Sequence, residues 1–388
     1  MFNEYTIKDV IEEVIDYRGK TPKKLGGDWS EEKTEYMALS AKNIKKGRIV
    51  QPDTIRYVDQ EMYNKWMKQE VERGTILITS EAPFGELLYW DSDEKIVLSQ
   101  RLFGLKIKRE FNSRYIYYYM FSEQFQGELS GRATGSTVTG LRQPELLKCH
   151  LKVPNRKYQD IIANILMNID KKIDLNSEIN NNLQELAKSI YYEKFKDKSN
   201  NGKLKDILDL HRKNIKNKDE SLKYFPVDVL PMNYLITKDA KPNEEAKSSL
   251  VEFKKYDILV GAMRVYFHRV CLAAEDGITR TTTFVLRPKD DNYLYYSLIT
   301  LDKDDFIKYA NDGSKGSTMP YAVWDNNCNE YDIYVPTLNE AKDFNDLVKP
   351  LFEIQIINEK NNRYLEQLRD TLLPKLMNGE IDLDNIEI

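Results

Sequence analysis

Cysteine and histidine are scarce in this chain, three of each in 388 residues. Cys149, Cys271 and Cys328 are odd in number, far apart and without a CxxC pair, which argues against a disulfide framework or a structural zinc site. They read as buried filler in a reducing compartment. Cys149 and His150 are adjacent, but neighbours in a strand point to opposite faces, so they form neither a catalytic couple nor a shared ligand pair. No apolar run approaches the roughly 20 residues of a membrane span, and the opening MFNEYTIKDV lacks the basic-then-apolar order of a signal peptide. The cytoplasm is the expected compartment. An excess of positive charge is also missing: the net charge is −4, an unusual balance for a protein that coats nucleic acid. A Walker-type loop is lacking too, since the small-residue run GRATGSTVTG at 131–140 has no lysine after its second glycine.

Charge and small residues are nevertheless distributed with a pattern. Between Asp16 and Arg48, nine basic residues face five acidic ones, a local +4 that suits a phosphate backbone, although a solvated loop gives the same count. More informative is repetition. Ile7-Lys8-Asp9-Val10 returns as Leu204-Lys205-Asp206-Ile207, Gly74-Thr75-Ile76-Leu77-Ile78 as Tyr256-Asp257-Ile258-Leu259-Val260, and Tyr115-Ile116-Tyr117-Tyr118 as Tyr293-Leu294-Tyr295-Tyr296. Gly135-Ser136-Thr137 returns as Gly316-Ser317-Thr318, and Val153-Pro154 as Val335-Pro336. Variable offsets between such matches are expected of a duplicated scaffold with unequal loops.

After each Val-Pro the pattern changes to heptads. Ile162, Ile169, Asn176, Leu183 and Ile190 match Phe344, Leu351, Asn358, Leu365 and Leu372. The companion seam three residues on is Ile165, Lys172, Ile179, Leu186 against Leu347, Ile354, Asn361, Leu368. Four heptads of this kind specify a coiled coil, with helices of roughly 35–38 residues. Asn176 and Asn358 occupy one equivalent core position, where a buried amide fixes register, unless the seam slips and exposes both. For two repeats in one chain to be exchanged by a two-fold rotation, the helices must run antiparallel, which predicts a dumbbell. Pro374 and Gly379 are expected to end the last helix.

The predicted fold class is therefore α+β: two pseudo-two-fold-related mixed α/β globular domains separated by a long antiparallel two-helix coiled coil. The expected segments are 1–155, 156–197, 198–337 and 338–378, with a tail at 379–388. Within the globular repeats, short β-type runs such as Thr75–Ser80, Phe103–Ile107, Asp257–Val260 and Thr281–Leu286 alternate with polar loops. Tyr115–Ser122 and Tyr293–Leu301 predict one aromatic-rich helix per repeat, its tyrosines packing a core face.

The tail Leu368-Arg369-Asp370-Thr371-Leu372-Leu373-Pro374-Lys375-Leu376-Met377-Asn378-Gly379-Glu380-Ile381 resembles the C-terminal signature of the specificity subunit of type I restriction-modification systems. So do Tyr17-Arg18-Gly19-Lys20-Thr21-Pro22, Ile78-Thr79-Ser80-Glu81-Ala82-Pro83-Phe84-Gly85 and Leu98-Ser99-Gln100-Arg101-Leu102-Phe103-Gly104. The resemblance implies two target-recognition domains, each reading half of a bipartite double-stranded DNA target. It further implies a helical ruler between them, two methyltransferase subunits as partners, and a motor and nuclease subunit engaged through the complex. It implies no catalytic activity, cofactor or metal in this chain. The second repeat departs from the pattern: His211-Arg212-Lys213-Asn214 stands near the place of the Arg-Gly-Lys-Thr-Pro run, and Gly261-Ala262-Met263-Arg264 replaces Ser80-Glu81-Ala82-Pro83. That divergence suggests different half-sites.

DNA reading needs phosphate contacts for position and base-edge contacts for specificity. Phosphate candidates are Lys20, Lys23, Lys24, Lys42, Lys45, Arg132 and Lys315, with the hydroxyls of Ser136, Thr137, Ser317 and Thr318, and Ser80 and Lys213 are further expected DNA-binding residues. Candidate base readers are Arg18, Asn43, Gln100 and Arg101 in the first domain and Arg212, Arg264, His268 and Arg280 in the second. Two alternatives stay open: a coiled-coil adaptor that joins two proteins without reading DNA, and a nuclease built on Asp91, Asp93, Glu94 and Lys95, a cluster that also reads as a solvated turn.

Overall fold

In the computed structural model, residues 2–134, 140–213, 215, 221–247 and 249–384 are described. The chain forms two compact units, Met1–Lys171 with Leu365–Ile388, and Lys172–Tyr364.

In the first unit, apolar alternation builds a four-stranded antiparallel sheet in the spatial order Ile11–Asp16, Leu102–Ile107, Ile76–Thr79, Leu87–Tyr89. A three-stranded sheet places Tyr36–Leu39 between antiparallel Arg56–Val58 and parallel Ile96–Leu98. The second unit repeats the larger sheet as Leu208–His211, Thr283–Pro288, Ile258–Gly261, Val270–Leu272, again antiparallel. Its smaller sheet likewise has one parallel pair, Lys223–Tyr224 with Gly277–Arg280.

The repeated sequence runs adopt equal structures. Ile7–Val10 and Leu204–Ile207 are single helical turns in which Asp9 accepts the Thr6 N–H at 2.8 Å and Asp206 the Lys203 N–H at 2.7 Å. Gly74 and Tyr256 both take a left-handed backbone, φ 94° and 74°, ahead of matching strands. The aromatic helices Ser113–Met120 and Leu294–Leu301 bury tyrosines, as the periodicity predicts. Each is followed by a second helix, Glu123–Gly131 and Asp304–Asp312, that the single-helix expectation missed. These segments bury only two and three apolar side chains in nine residues, too few for the period to show in sequence.

The long helices are Arg156–Phe195 and Leu338–Met377, 40 residues each, or about 60 Å apiece. Thr337 and Glu340 form a capping box at the second: the Thr337 N–H donates to Glu340 at 3.0 Å and the Glu340 N–H to the Thr337 hydroxyl at 3.3 Å. Its end is set by Gly379, φ 72°, in a Schellman motif, with Glu380 N–H on Lys375 O and Gly379 N–H on Leu376 O. Pro374 lies inside the final turn and does not stop the helix, contrary to expectation. A Cβ on Gly379 would also sit 2.6 Å from the Phe2 ring.

Of the predicted seams, the one through Ile162, Ile169 and Asn176 is buried, but its companion lies four residues on, not three. Leu166, Ile173, Asn180 and Ala187 are buried, while Lys172, Ile179 and Leu186 are exposed. The second helix shifts in the same way: Val348, Gln355 and Asn362 face inward, and Leu347 and Ile354 outward. The inner row carries amides where the outer row carries leucine and isoleucine, so hydrophobicity pointed to the wrong face. Within the second unit the helices run antiparallel, with Asn176 paired to Asn362 and Asn180 to Asn358.

Candidate nucleic-acid interface

In the first unit, backbone pairing at one end of the large sheet gathers three loops. Ser80 N–H donates to Arg101 O at 2.8 Å, and Leu141 N–H to Ser80 O at 2.9 Å. The resulting cavity, about 460 Å³, is lined by Arg18, Ser80, Glu81, Gln100, Arg101 and Arg142, among others. A second cavity of about 320 Å³ shares Gln100 and Arg101 and adds Trp29, Lys42, Thr54 and Arg56. Arg101 therefore stands on the ridge between them, with φ 68° and an ion pair to Glu81 at 2.9 Å.

The same backbone junction exists in the second unit. Ala262 N–H donates to Thr282 O at 2.9 Å and Ala322 N–H to Ala262 O at 2.8 Å. Its cavity, about 340 Å³, is lined by Arg212, Thr281, Phe284, Tyr321, Trp324 and Asp325, with others. One junction thus carries a lining of three arginines and a carboxylate in one domain and an aromatic lining with an Arg212–Asp325 ion pair in the other.

Of the expected readers, Arg18, Ser80, Gln100 and Arg101 come together. Arg18 is fixed by Asp16 through two bonds of 2.9 Å, by Leu141 O at 3.3 Å, and over the Phe103 ring at 3.9 Å. Asn43 does not belong with them: it is 1 % exposed, and its amide organises its own loop through Ser40 and Thr54. Lys20 reaches Trp66 O at 3.1 Å and Lys24 reaches Gly19 O at 2.7 Å. Lys23 and Lys42 are exposed, and Lys42 borders the second cavity. Arg132 is held by Glu128 at 2.8 Å.

In the second unit Lys213 pairs with Glu252 at 3.5 Å, and Arg280 is exposed. Arg264 has φ 51° and no side-chain hydrogen bond or ion pair among the described residues. His268 is half-buried, its Nε2 2.8 Å from Asp302 O and 3.0 Å from Asp302 Oδ1. That carboxylate hydrogen bond raises the imidazole pKa, against the opposing effect of burial. Lys315, Ser317 and Thr318 are exposed on a loop closed by reciprocal 2.9 Å bonds between Lys315 and Tyr321. Thr134 and Gly140 close a loop of the same length around Ser136 and Thr137, which lie outside the described residues.

Glu81, Arg142, Trp29, Arg56, Tyr321 and Trp324 were missed as site residues. The signal was available: Glu81 lies inside a quoted motif, and Arg142 and Tyr321 flank the repeated Gly-Ser-Thr loop. The Asp91 cluster lies in an irregular loop tied by ion pairs: Arg73 reaches Asp91 and Asp93 at 2.9 Å each, and Lys95 reaches Glu70 at 2.9 Å. Cys149 is buried and its thiol is pushed up to about 12 by that burial, a poor nucleophile. No helix among the described residues is long and apolar enough to cross a membrane.

A groove of this composition can recognise DNA. Arginine offers paired donors to guanine O6 and N7, glutamine to adenine, and a carboxylate accepts from the cytosine amino group. Glu81 would repel phosphates, so its place beside Arg101 favours base edges over backbone.

The family model for the type I restriction modification DNA specificity domain matches this chain twice, at residues 2–185 and 196–367. The MjaIX type I restriction enzyme specificity subunit of Methanocaldococcus jannaschii is 25 % identical over 353 residues, 81 % of this chain and 79 % of that one. The MjaVIII specificity subunit of the same organism is 25 % identical over 158 residues, 39 % of this chain and 37 % of that one. The crystal structure of the type I restriction-modification S subunit from M. genitalium shares the fold, with a TM-score of 0.61 at 17 % identity over 97 % of this chain and 96 % of that one. With two copies of the domain spanning most of its length, the chain belongs to the type I restriction-modification DNA specificity family.

Proposed function

We propose that this chain is the non-catalytic reader of a two-part double-stranded DNA target. Segments 1–155 and 198–337 act as its two recognition domains, and the long helices at 156–197 and 338–378 set the gap between half-sites. The carrying observation is the shared backbone junction with unlike linings: the scaffold is repeated while the side chains that meet bases are not. Exposed lysines and the Ser136-Thr137 and Ser317-Thr318 loops position the phosphates, and Arg101, Gln100 and Arg142 read one half-site.

The helix pair also offers an apolar outer row for the modification subunits. Leu347, Ile354, Ile357 and Tyr364 are 44–64 % exposed, and Leu175, Ile179 and Leu186 are 36–49 % exposed, a density beyond the scatter of single surface apolar residues. The motor and nuclease subunit joins through that complex.

The test is binding of the co-purified chain and modification subunits to duplex carrying the modified motif of the host genome. Salt-dependent binding to that duplex, absent with an unrelated one, is the expected result. Equal binding to both, or none, leaves the adaptor reading in its place.

A further inference from the structure

Beyond the reading groove, the second recognition unit presents a partly exposed aromatic pair. Tyr266 and Phe267 are 50 % and 38 % exposed, with ring centroids 5.0 Å apart. They form the tip of a three-residue turn, Val265–Phe267, bracketed by Arg264 and His268, both non-glycine residues in left-handed backbone, φ 51° and 52°. Such a conformation is strained for residues with a Cβ and persists only where the surroundings enforce it.

The enforcement is visible on both sides. Arg264 N–H donates to Pro320 O at 2.8 Å, and Met263 bridges to Tyr321, a wall of the groove. On the far side the His268 ring is held by Asp302, which is 7 % exposed and whose carboxylate also takes Lys188 at 2.7 Å. Val265 alone points inward, at 2 % exposure. A rigid mount therefore holds the two rings partly in solvent, with the Arg269 guanidinium 5.6 Å from the Phe267 centroid, beside an arginine that has no side-chain partner among the described residues, and Met263 ties the turn to Tyr321 of the candidate base-reading groove.

We infer that Tyr266 and Phe267 are a stacking wedge that enters a base step of the half-site read by the second domain. The inference rests on the DNA-reading proposal and adds to it. Apolar and aromatic side chains flanked by cations unstack and kink duplex steps, and aromatic faces stack on bases of any identity. Arg264, at the base of the turn, is placed to meet the adjacent phosphate. The first domain has a different device at this place, Glu81-Ala82-Pro83-Phe84, whose Phe84 packs against the core, so the wedge belongs to one half-site only.

The experiment uses the assembled complex and its mapped target, with 2-aminopurine placed in turn at each position of that half-site other than the modified base. The native complex should raise emission at one step, where the probe loses its stacked neighbour. Tyr266→Ala/Phe267→Ala should abolish the rise and weaken binding about tenfold, leaving the choice of sequence intact, whereas Phe267→Tyr should retain it. Phe267→Leu keeps an apolar wedge without the aromatic face and should preserve the rise at reduced affinity while the thermal midpoint stays native. A double variant that keeps emission and affinity overturns the wedge. So does one that binds DNA normally once assembled but no longer co-purifies with the modification subunits, since the patch would then be a protein interface. A native complex that binds duplex with sequence preference but shows flat emission overturns the wedge alone; one with no preference overturns the DNA reading as well.

Discussion

Asn176 donates its side-chain amide to Asn362 at 2.8 Å across the antiparallel helix pair of the second unit, where both residues are buried. The bond has a twin, from Asn358 to Asn180 at 2.8 Å. Asn358 follows Asn176 by the same interval as Asn362 follows Asn180, so one interaction is written twice. Buried amides that pair in only one alignment specify register at some expense of stability.

Asn176→Leu should destabilise the chain by about 1–3 kcal/mol, because the Asn362 carbonyl is left buried without its donor. Asn176→Leu/Asn362→Leu should recover most of that loss. Thermal midpoints of the three proteins check it; a double variant no better than the single one would show that the amide pair is not the source.

Arg101→Ala should relax discrimination at positions of the first half-site by about 1–3 kcal/mol while leaving the second half-site as selective as before. Competition binding with single-base variants of the mapped motif measures both at once. A uniform loss across sequences would instead make Arg101 a phosphate contact.

Glu340 gives a pH prediction. The Lys198 ammonium, the Thr337 N–H and the Tyr334 and Thr337 hydroxyls hold its carboxyl down at about 2. A depressed folded-state pKa contributes stability that is present above the unfolded value, near 4.3, and lost as pH falls through about 2. Glu340→Gln should therefore cost about 1 kcal/mol at neutral pH and flatten the acid limb of a stability profile between roughly pH 5 and 2. Profiles that superimpose in that range would refute the capping role.

The sequence was most legible where physics is periodic or repeated. Heptads marked both long helices to within a few residues, and the internal matches located equivalent turns such as Gly74 and Tyr256, because a duplicated scaffold keeps its backbone. The companion seam was misplaced because inner positions hold Asn180, Gln355 and Asn362, while outer positions hold Ile179, Ile354 and Leu347. A polar seam with an apolar outer row inverts the usual signal. Arg142 and Glu81 were overlooked for another reason: each adjoins a motif the sequence shows, but that the two motifs meet depends on backbone pairing between Ser80, Arg101 and Leu141, which are far apart in sequence. Asn43 was chosen for its residue type, and its burial could not be read from a neighbourhood of lysines.

The central claim is that two domains read two half-sites across a gap set by the helices. Its most direct test is methylation mapping in cells carrying the native chain or one with a heptad inserted into both long helices. The same two half-sites should be modified with the gap lengthened by about 10 Å, or roughly three base pairs. An unchanged gap, or modification at a single uninterrupted motif, would contradict it.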